Sequence, residues 1–257
     1  MKTFNTEGNK IILAFTLVGL LLLLIFPASL SATHFRYGTM SWSLDNSTTI
    51  RLNMENGWTA NHTNWDALED YTELQVSGFL GSIRSSYSIT WGGGSPTTSD
   101  MHHKVKSRDE SATVNSTITE MGTYASSAWT KGLTHTYDNG SYVIFWNAST
   151  RTAVHSDQAA NGNDWRNQTL LRLGGDYNGN VSPVSAVPDT VSVQDNQTFK
   201  YQVSATDVNG DNLTYRWGYV REFFTANGTG DDTVFVMPTG MTLSSSGLIE
   251  WDVQDNN

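Results

Sequence analysis

Apolar and polar positions alternate with a period of two along most of this chain, the pattern of strands that bury one face. Residues 34–44 (His-Phe-Arg-Tyr-Gly-Thr-Met-Ser-Trp-Ser-Leu) read this way, and so do 49–54 after the turn chemistry of Asp45-Asn46-Ser47, so together they predict a hairpin. The same pattern predicts strands over 73–79, 86–91, 141–147 and 169–173, separated by Gly-rich or polar loops such as Trp91-Gly92-Gly93-Gly94-Ser95-Pro96. No helical period persists. The fold class that follows is all-β, built as sandwiches.

One stretch breaks the alternation. Residues 11–26 are apolar without interruption, preceded by Lys2 and Lys10 and followed by Pro27 and the small residues Ala28, Ser29, Ser31 and Ala32. That order is a secretory signal with a small-x-small cleavage site. Cleavage after Ser31 puts Ser29 and Ser31 at the two small positions, whereas cleavage after Ala32 puts the larger Leu30 at the first. A permanent membrane anchor needs about 20 apolar residues, more than this run supplies. The expected location is therefore extracellular or at the cell surface.

A second change of character falls at 174–188, where Gly-Gly-Asp-Tyr-Asn-Gly-Asn and Ser-Pro-Val-Ser-Ala-Val-Pro carry turn formers and no periodic apolar face. Alternation then resumes over 191–193, 199–203, 213–217 and 248–251. The organisation this predicts is a signal peptide (1–31), an N-terminal β-sandwich (32–175), a linker (176–188) and a second β-sandwich (189–257).

Composition narrows the partners. Charged residues make up 16% of the chain and the formal net charge is -10, so a nucleic-acid backbone would be repelled. Cys is absent, so stability has to come from packing or from metal rather than disulfides. Beyond the first apolar run nothing is long enough to span a bilayer, and membrane attachment would need an anchor outside these residues.

From Ser182 onward the chain resembles the putative Ig and dystroglycan-type cadherin-like repeats strung in tandem on surface proteins. The residues that carry the likeness are Ser182-Pro183-Val184, then Ala205-Thr206-Asp207-Val208-Asn209-Gly210-Asp211-Asn212-Leu213-Thr214-Tyr215, then Pro238-Thr239-Gly240-Met241-Thr242-Leu243 with Ser246-Gly247-Leu248-Ile249-Glu250-Trp251. The resemblance implies an Ig-like sandwich, completed in the family by two more strands after the Trp. The second domain is therefore expected to be incomplete at Asn257, within a longer protein. Upstream, Leu133-Thr134-His135-Thr136-Tyr137-Asp138-Asn139-Gly140-Ser141-Tyr142-Val143-Ile144-Phe145-Trp146 resembles the His-x-Tyr…Gly-x-Tyr ending of PKD-like Ig-fold modules. The opening His34-Phe35-Arg36-Tyr37-Gly38 is similar to the start of exported proteins in which such a domain precedes an Ig-like repeat.

Asp207, Asn209 and Asp211 place oxygen-bearing side chains at alternate positions around Gly210, a spacing that lets them converge on a hard cation, for which calcium is the natural guest. Asp176 and Asn178 in the linker are candidates for further oxygens. In the cadherin-like relatives the corresponding Asp-x-Asp segment stiffens the junction between repeats, although no Asp-Arg-Glu segment completes such a site here. The same residues equally suit a plain hairpin turn.

Ten Asn-x-Ser/Thr sequons, at Asn46, Asn61, Asn115, Asn139, Asn147, Asn167, Asn180, Asn196, Asn212 and Asn227, make glycosylation an expectation in a eukaryotic or archaeal host. His102, His103, His62, His135 and His155 lack metal-ligand spacing and read as surface residues. Most Trp residues sit in strand patterns and read as core. Trp58 and Trp65, which flank the polar loop 59–64, are the candidates for stacking against a sugar. No nucleophile elbow, phosphate-binding loop or zincin helix occurs, and carboxylates appear only singly or as neighbours, so enzymatic activity has no positive support. These readings converge on an extracellular binding or adhesion protein with an N-terminal recognition domain for a protein or glycan ligand, carried on Ig- and cadherin-like stalk repeats. The alternative is a carbohydrate-binding module of a larger secreted enzyme.

Overall fold

The structure is a computed structural model in which residues 35–60, 89–93, 102–111, 115–125, 128–148, 165–188, 190–194, 197–223 and 237–253 are described. The signal-peptide segment, the strand predicted over 73–79, Trp65, His62, His155 and the sequons Asn61, Asn196 and Asn227 lie outside them. The described residues all belong to one contact unit, Thr33–Asn257.

The chain is all-β. The predicted hairpin is formed by β1 (Phe35–Leu44) and β2 (Thr49–Thr59), paired antiparallel from Leu44↔Ile50 to Phe35↔Trp58. Its turn is held by Asn46, whose Oδ1 accepts from the Thr48 and Thr49 backbone N–H groups at 3.0 and 2.8 Å, the local bonding that makes Asn a turn residue. Strict alternation sends Ile50, Leu52, Met54, Asn56 and Trp58 to the core face of β2. On β1 the inward set Met40 and Trp42 would leave Phe35 pointing out. A bulge between Phe35 and Tyr37 shifts the phase by one residue, so Phe35 turns inward opposite Trp58 and is 4% exposed.

β3 (His102–Asp109) and β4 (Ser116–Ala125) continue this sheet in the order β1-β2-β4-β3, while β5 (Ala128–Lys131) pairs with β4 and β6 (Leu133–Thr136) pairs with β2. The opposing layer is the hairpin β7 (Gly140–Ala148) and β8 (Trp165–Leu173). Ile144, Trp146, Trp165, Leu171 and Leu173 pack from it against Phe35, Trp42, Leu52, Trp58 and Met121 in one buried cluster. Phe35 and Trp165 stack with ring centroids 3.8 Å apart, and Trp146 meets Trp165 edge-on at 4.7 Å. Gly38 lies where the two layers come close together. The Asn167 side chain crosses it to donate to Asn56 Oδ1 at 3.1 Å, and a Cβ at Gly38 would overlap both.

After the 3-10 turn Gly175–Tyr177 come β9 (Val184–Ser185), β10 (Thr198–Gln202), β11 (Ala205–Thr206), the short helix α1 (Val220–Phe223), β12 (Thr242–Leu243) and β13 (Leu248–Asp252). They form a three-stranded sheet, β10-β13-β12, and the pair β9-β11. Two predicted strands are corrected. Residues 191–193 enter no ladder, and 213–217 keeps strand-like alternation of exposure without one, its recorded backbone bond being Tyr215 N–H to Ser245 O at 3.0 Å. Alternation reports which face is buried, whereas a ladder also needs a neighbour in register.

Candidate functional site

The β7–β8 hairpin has two faces, and its outer one carries the chemistry. With a period of two, Trp165, Leu171 and Leu173 go to the core while Arg166, Gln168, Leu170 and Arg172 face away. Leu170 is left 48% exposed. β7 pairs along one edge of β8, and Trp42 Nε1–H donates to Leu170 O at 3.2 Å.

Residues 166–170 of β8, with Gly38 and Met40 of β1, line a groove of about 650 Å3 whose other wall includes residues 214–218 and Glu222 of α1. The wall is braced by its own charges. Arg216 donates from Nη1 to Glu222 Oε2 at 2.8 Å and from Nη2 to Oε1 at 2.7 Å, and Glu222 Oε2 also accepts from the Tyr219 backbone N–H at 2.7 Å. Such a fork is geometrically demanding and stiffens the segment that makes it. The hydrogen bond from Arg216 holds the Glu222 carboxyl below its usual range, and the same bond raises Arg216. The Glu222 carboxylate is thus kept ionised and committed to Arg216.

Arg166 is in a different position. Its guanidinium lies 3.7 Å above the Phe145 ring, and its Nε is buried with no hydrogen-bond partner among the described residues. Burial lowers its pKa, opposed by the charge of Glu222. A half-buried cation on an aromatic face, with donor capacity unused, is drawn to an anionic group. Trp217 and Tyr215, both half-buried, line the same groove.

A second construction joins this region to β1. Ser182, 8% exposed, accepts from the Trp42 N–H through Oγ at 2.7 Å and donates back to Trp42 O at 3.2 Å, while its own N–H donates to Trp42 O at 3.1 Å. The segment predicted as a linker is therefore pinned to the first sheet. Beside it, Asn209 Nδ2 donates to Gly179 O at 3.2 Å and Asn209 Oδ1 accepts from the Val181 N–H at 3.0 Å. The loop that presents Asn209 is shaped by Asp207, whose Oδ1 accepts from the Asn209 and Asp211 N–H groups at 2.8 and 3.2 Å.

The structure therefore brings the predicted calcium loop onto the predicted linker, but as a hydrogen-bonded clasp. Asp207 Oδ1 and Asn209 Oδ1 both accept backbone N–H groups. Asp176 and Asn178 are exposed and make no hydrogen bond to the loop. Among the described residues no three His, Cys, Asp or Glu side chains gather around a point.

Trp58 is corrected as a stacking platform. It is 6% exposed, its Nε1–H donates to Thr119 Oγ1 at 3.0 Å, and its ring meets Phe35, Trp146 and Trp165 edge-on, so no flat face is left for a sugar. His103, expected at the surface, is 1% exposed against Trp58 and Trp146, because alternation on β3 turns it inward with Val105. His135 is half-buried and stacks on Trp91 at 4.7 Å, with its pKa lowered by burial.

Among the sequons, Asn46, Asn139 and Asn212 are exposed, and Asn115, Asn147 and Asn180 are half-buried. Asn167 is corrected: the Nδ2 to which a glycan would attach is the atom donated to buried Asn56. Arg166, Arg216, Trp217 and Glu222 went unmarked in the sequence. The traceable signal was Arg216-Trp217 at the end of an alternating segment with an acid six residues after Arg216, spacing that says nothing of the partner wall.

The fold is all-β. Set against protein-family models, curated proteins and solved structures, the chain matches none.

Proposed function

We propose that this chain is an exported recognition module of the cell surface, holding its ligand in the groove between the outer face of β8 and the 214–222 wall. The observation that carries the reading is the groove itself: concave, floored by a rigid sheet, braced by the Arg216–Glu222 fork, with the Arg166 cation only partly satisfied. Binding sites combine this kind of preformed apolar surface with a few convergent polar groups. Export rests on the apolar run and the small residues before Ala32. The adhesive, stalk-borne arrangement rests on the cadherin-like residues from Ser182 onward. The second reading, a carbohydrate-binding module of a larger secreted enzyme, is favoured by Trp217 in the groove.

The test is a paired protein and glycan array probed with the secreted chain and with an Arg166→Gln/Trp217→Ala double variant, using Lys131→Ala, remote on β5, as control. A signal that falls about tenfold or more in the double variant and persists in the control supports the groove. A signal unchanged in the double variant removes it.

A further inference from the structure

We infer that the groove takes an acidic saccharide, its carboxylate on Arg166 and a sugar face on Trp217; this rests on the recognition reading above. Three observations select that ligand. The first is charge. The whole chain carries -10, yet among the described residues the charged ones lining the groove are two guanidiniums, Arg166 and Arg216, and one carboxylate, Glu222. Both oxygens of Glu222 are taken by Arg216, so Arg166 feels that charge without being hydrogen-bonded by it among the described residues. In an acidic surround, this is where a carboxylate gains attraction and a fork of donors.

The second observation is the character of the remaining lining. Trp217 and Tyr215 supply aromatic surface, Gln168, Thr169 and Thr214 supply amide and hydroxyl groups, and the rest of the apolar lining is aliphatic. Flat apolar faces edged by neutral donors and acceptors match a ring with one apolar face and a rim of hydroxyls.

The third concerns the competing ligand, an acidic peptide. An extended peptide is gripped through its backbone by a free strand edge. β7 pairs along one side of β8, and on the other the Leu170 carbonyl already accepts from Trp42 Nε1–H, a bond that a peptide ladder through that carbonyl would have to displace.

The experiment uses the secreted chain and a panel of uronate- and sialate-terminated oligosaccharides, each beside its carboxyl-reduced counterpart, with poly-glutamate as a peptide arm, read by calorimetry at low and moderate salt. At least one acidic saccharide is expected to bind about tenfold or more tighter than its reduced form, the worth of a charge-assisted hydrogen bond. Arg166→Gln should erase that difference, Arg166→Lys should retain part of it, and Trp217→Ala should weaken both forms alike. Should Arg166→Gln fail to fold, the acidic and reduced pair on the unaltered chain decides alone. Equal binding of each pair, or no saccharide binding, overturns the inference. Poly-glutamate binding that depends on Arg166 without any saccharide binding overturns it while leaving the recognition reading intact. Absence of any groove-dependent ligand on the arrays removes both.

Discussion

Residues 35–173 and 184–253 use the same alternating pattern with different results. In the first stretch alternation ends in burial: Ile50, Leu52, Ile144, Trp146 and Leu171 are all fully enclosed in one cluster shared by two layers. In the second, β10 alternates only between exposed and half-buried positions, β9, β11 and β12 are two residues each, and the one fully buried described residue is Gly247. A strand is stabilised in proportion to the apolar area it removes from water. The first stretch is held by its core. The second is held by named hydrogen bonds, through Ser182 on Trp42 and Asn209 on the 179–181 backbone, and by the Arg216–Glu222 fork. The groove sits where the two meet, so its floor is rigid and its wall depends on polar contacts.

That contrast can be broken, and the largest effect should come from the core. Leu52→Ala, which empties a fully enclosed site, is expected to cost about 2–5 kcal/mol, while Ile249→Ala, on a half-buried strand, should cost about 1 kcal/mol. Urea unfolding monitored by tryptophan fluorescence measures both, and equal losses would abolish the distinction. Hydrogen exchange should agree, with β2 and β7 amides protected to the global limit and β10 and β13 amides released by smaller openings. Uniform protection would mean that the second stretch has no separate opening.

Ser182→Ala comes next. It removes the acceptor of the buried Trp42 N–H and is expected to cost about 1–3 kcal/mol. Asn209→Ala, on an exposed loop, should cost about 0.5–1.5 kcal/mol and speed exchange at the Val181 amide. The same sample checks the clasp against a calcium site. The thermal midpoint is expected to be equal in millimolar calcium and in chelator, and a rise in calcium that vanishes in Asp207→Ala/Asp211→Ala would restore the cation.

The smallest effect is the pH dependence from His135. Burial lowers its folded pKa below the usual 6.5, so between those two values the unfolded chain binds more protons and stability rises with pH. Acidification from pH 7 through 6.5 should lower the midpoint, and His135→Gln should flatten that part of the curve. Loss of the Glu222 carboxylate adds to the decline only at lower pH, because the folded pKa there is itself depressed.

Much of the fold was legible because period-two burial is a local property. The β1–β2 hairpin, its Asn46 turn and the strands around 141–147 and 169–173 were readable from neighbouring residues alone. β3 and β4 were not, since His102–Asp109 and Ser116–Ala125 are polar enough to pass for loop; their buried Thr117, Thr119 and His103 make sense only against the aromatic cluster. The site was less legible. Trp58 looked exposed beside a polar loop, and Arg166 looked like any strand-borne Arg.

By itself the sequence determined the class of element, its inward and outward faces, and the approach of the 207–211 loop to the linker as a candidate pairing. Only the tertiary structure decided that Trp58 is core, that Asn167 is spent on Asn56, and that Arg166, Arg216 and Trp217 share a groove. The physical reason is range. Alternation and turn chemistry act between residues a few positions apart, whereas a groove is made by segments some fifty residues apart whose meeting depends on how the two layers pack.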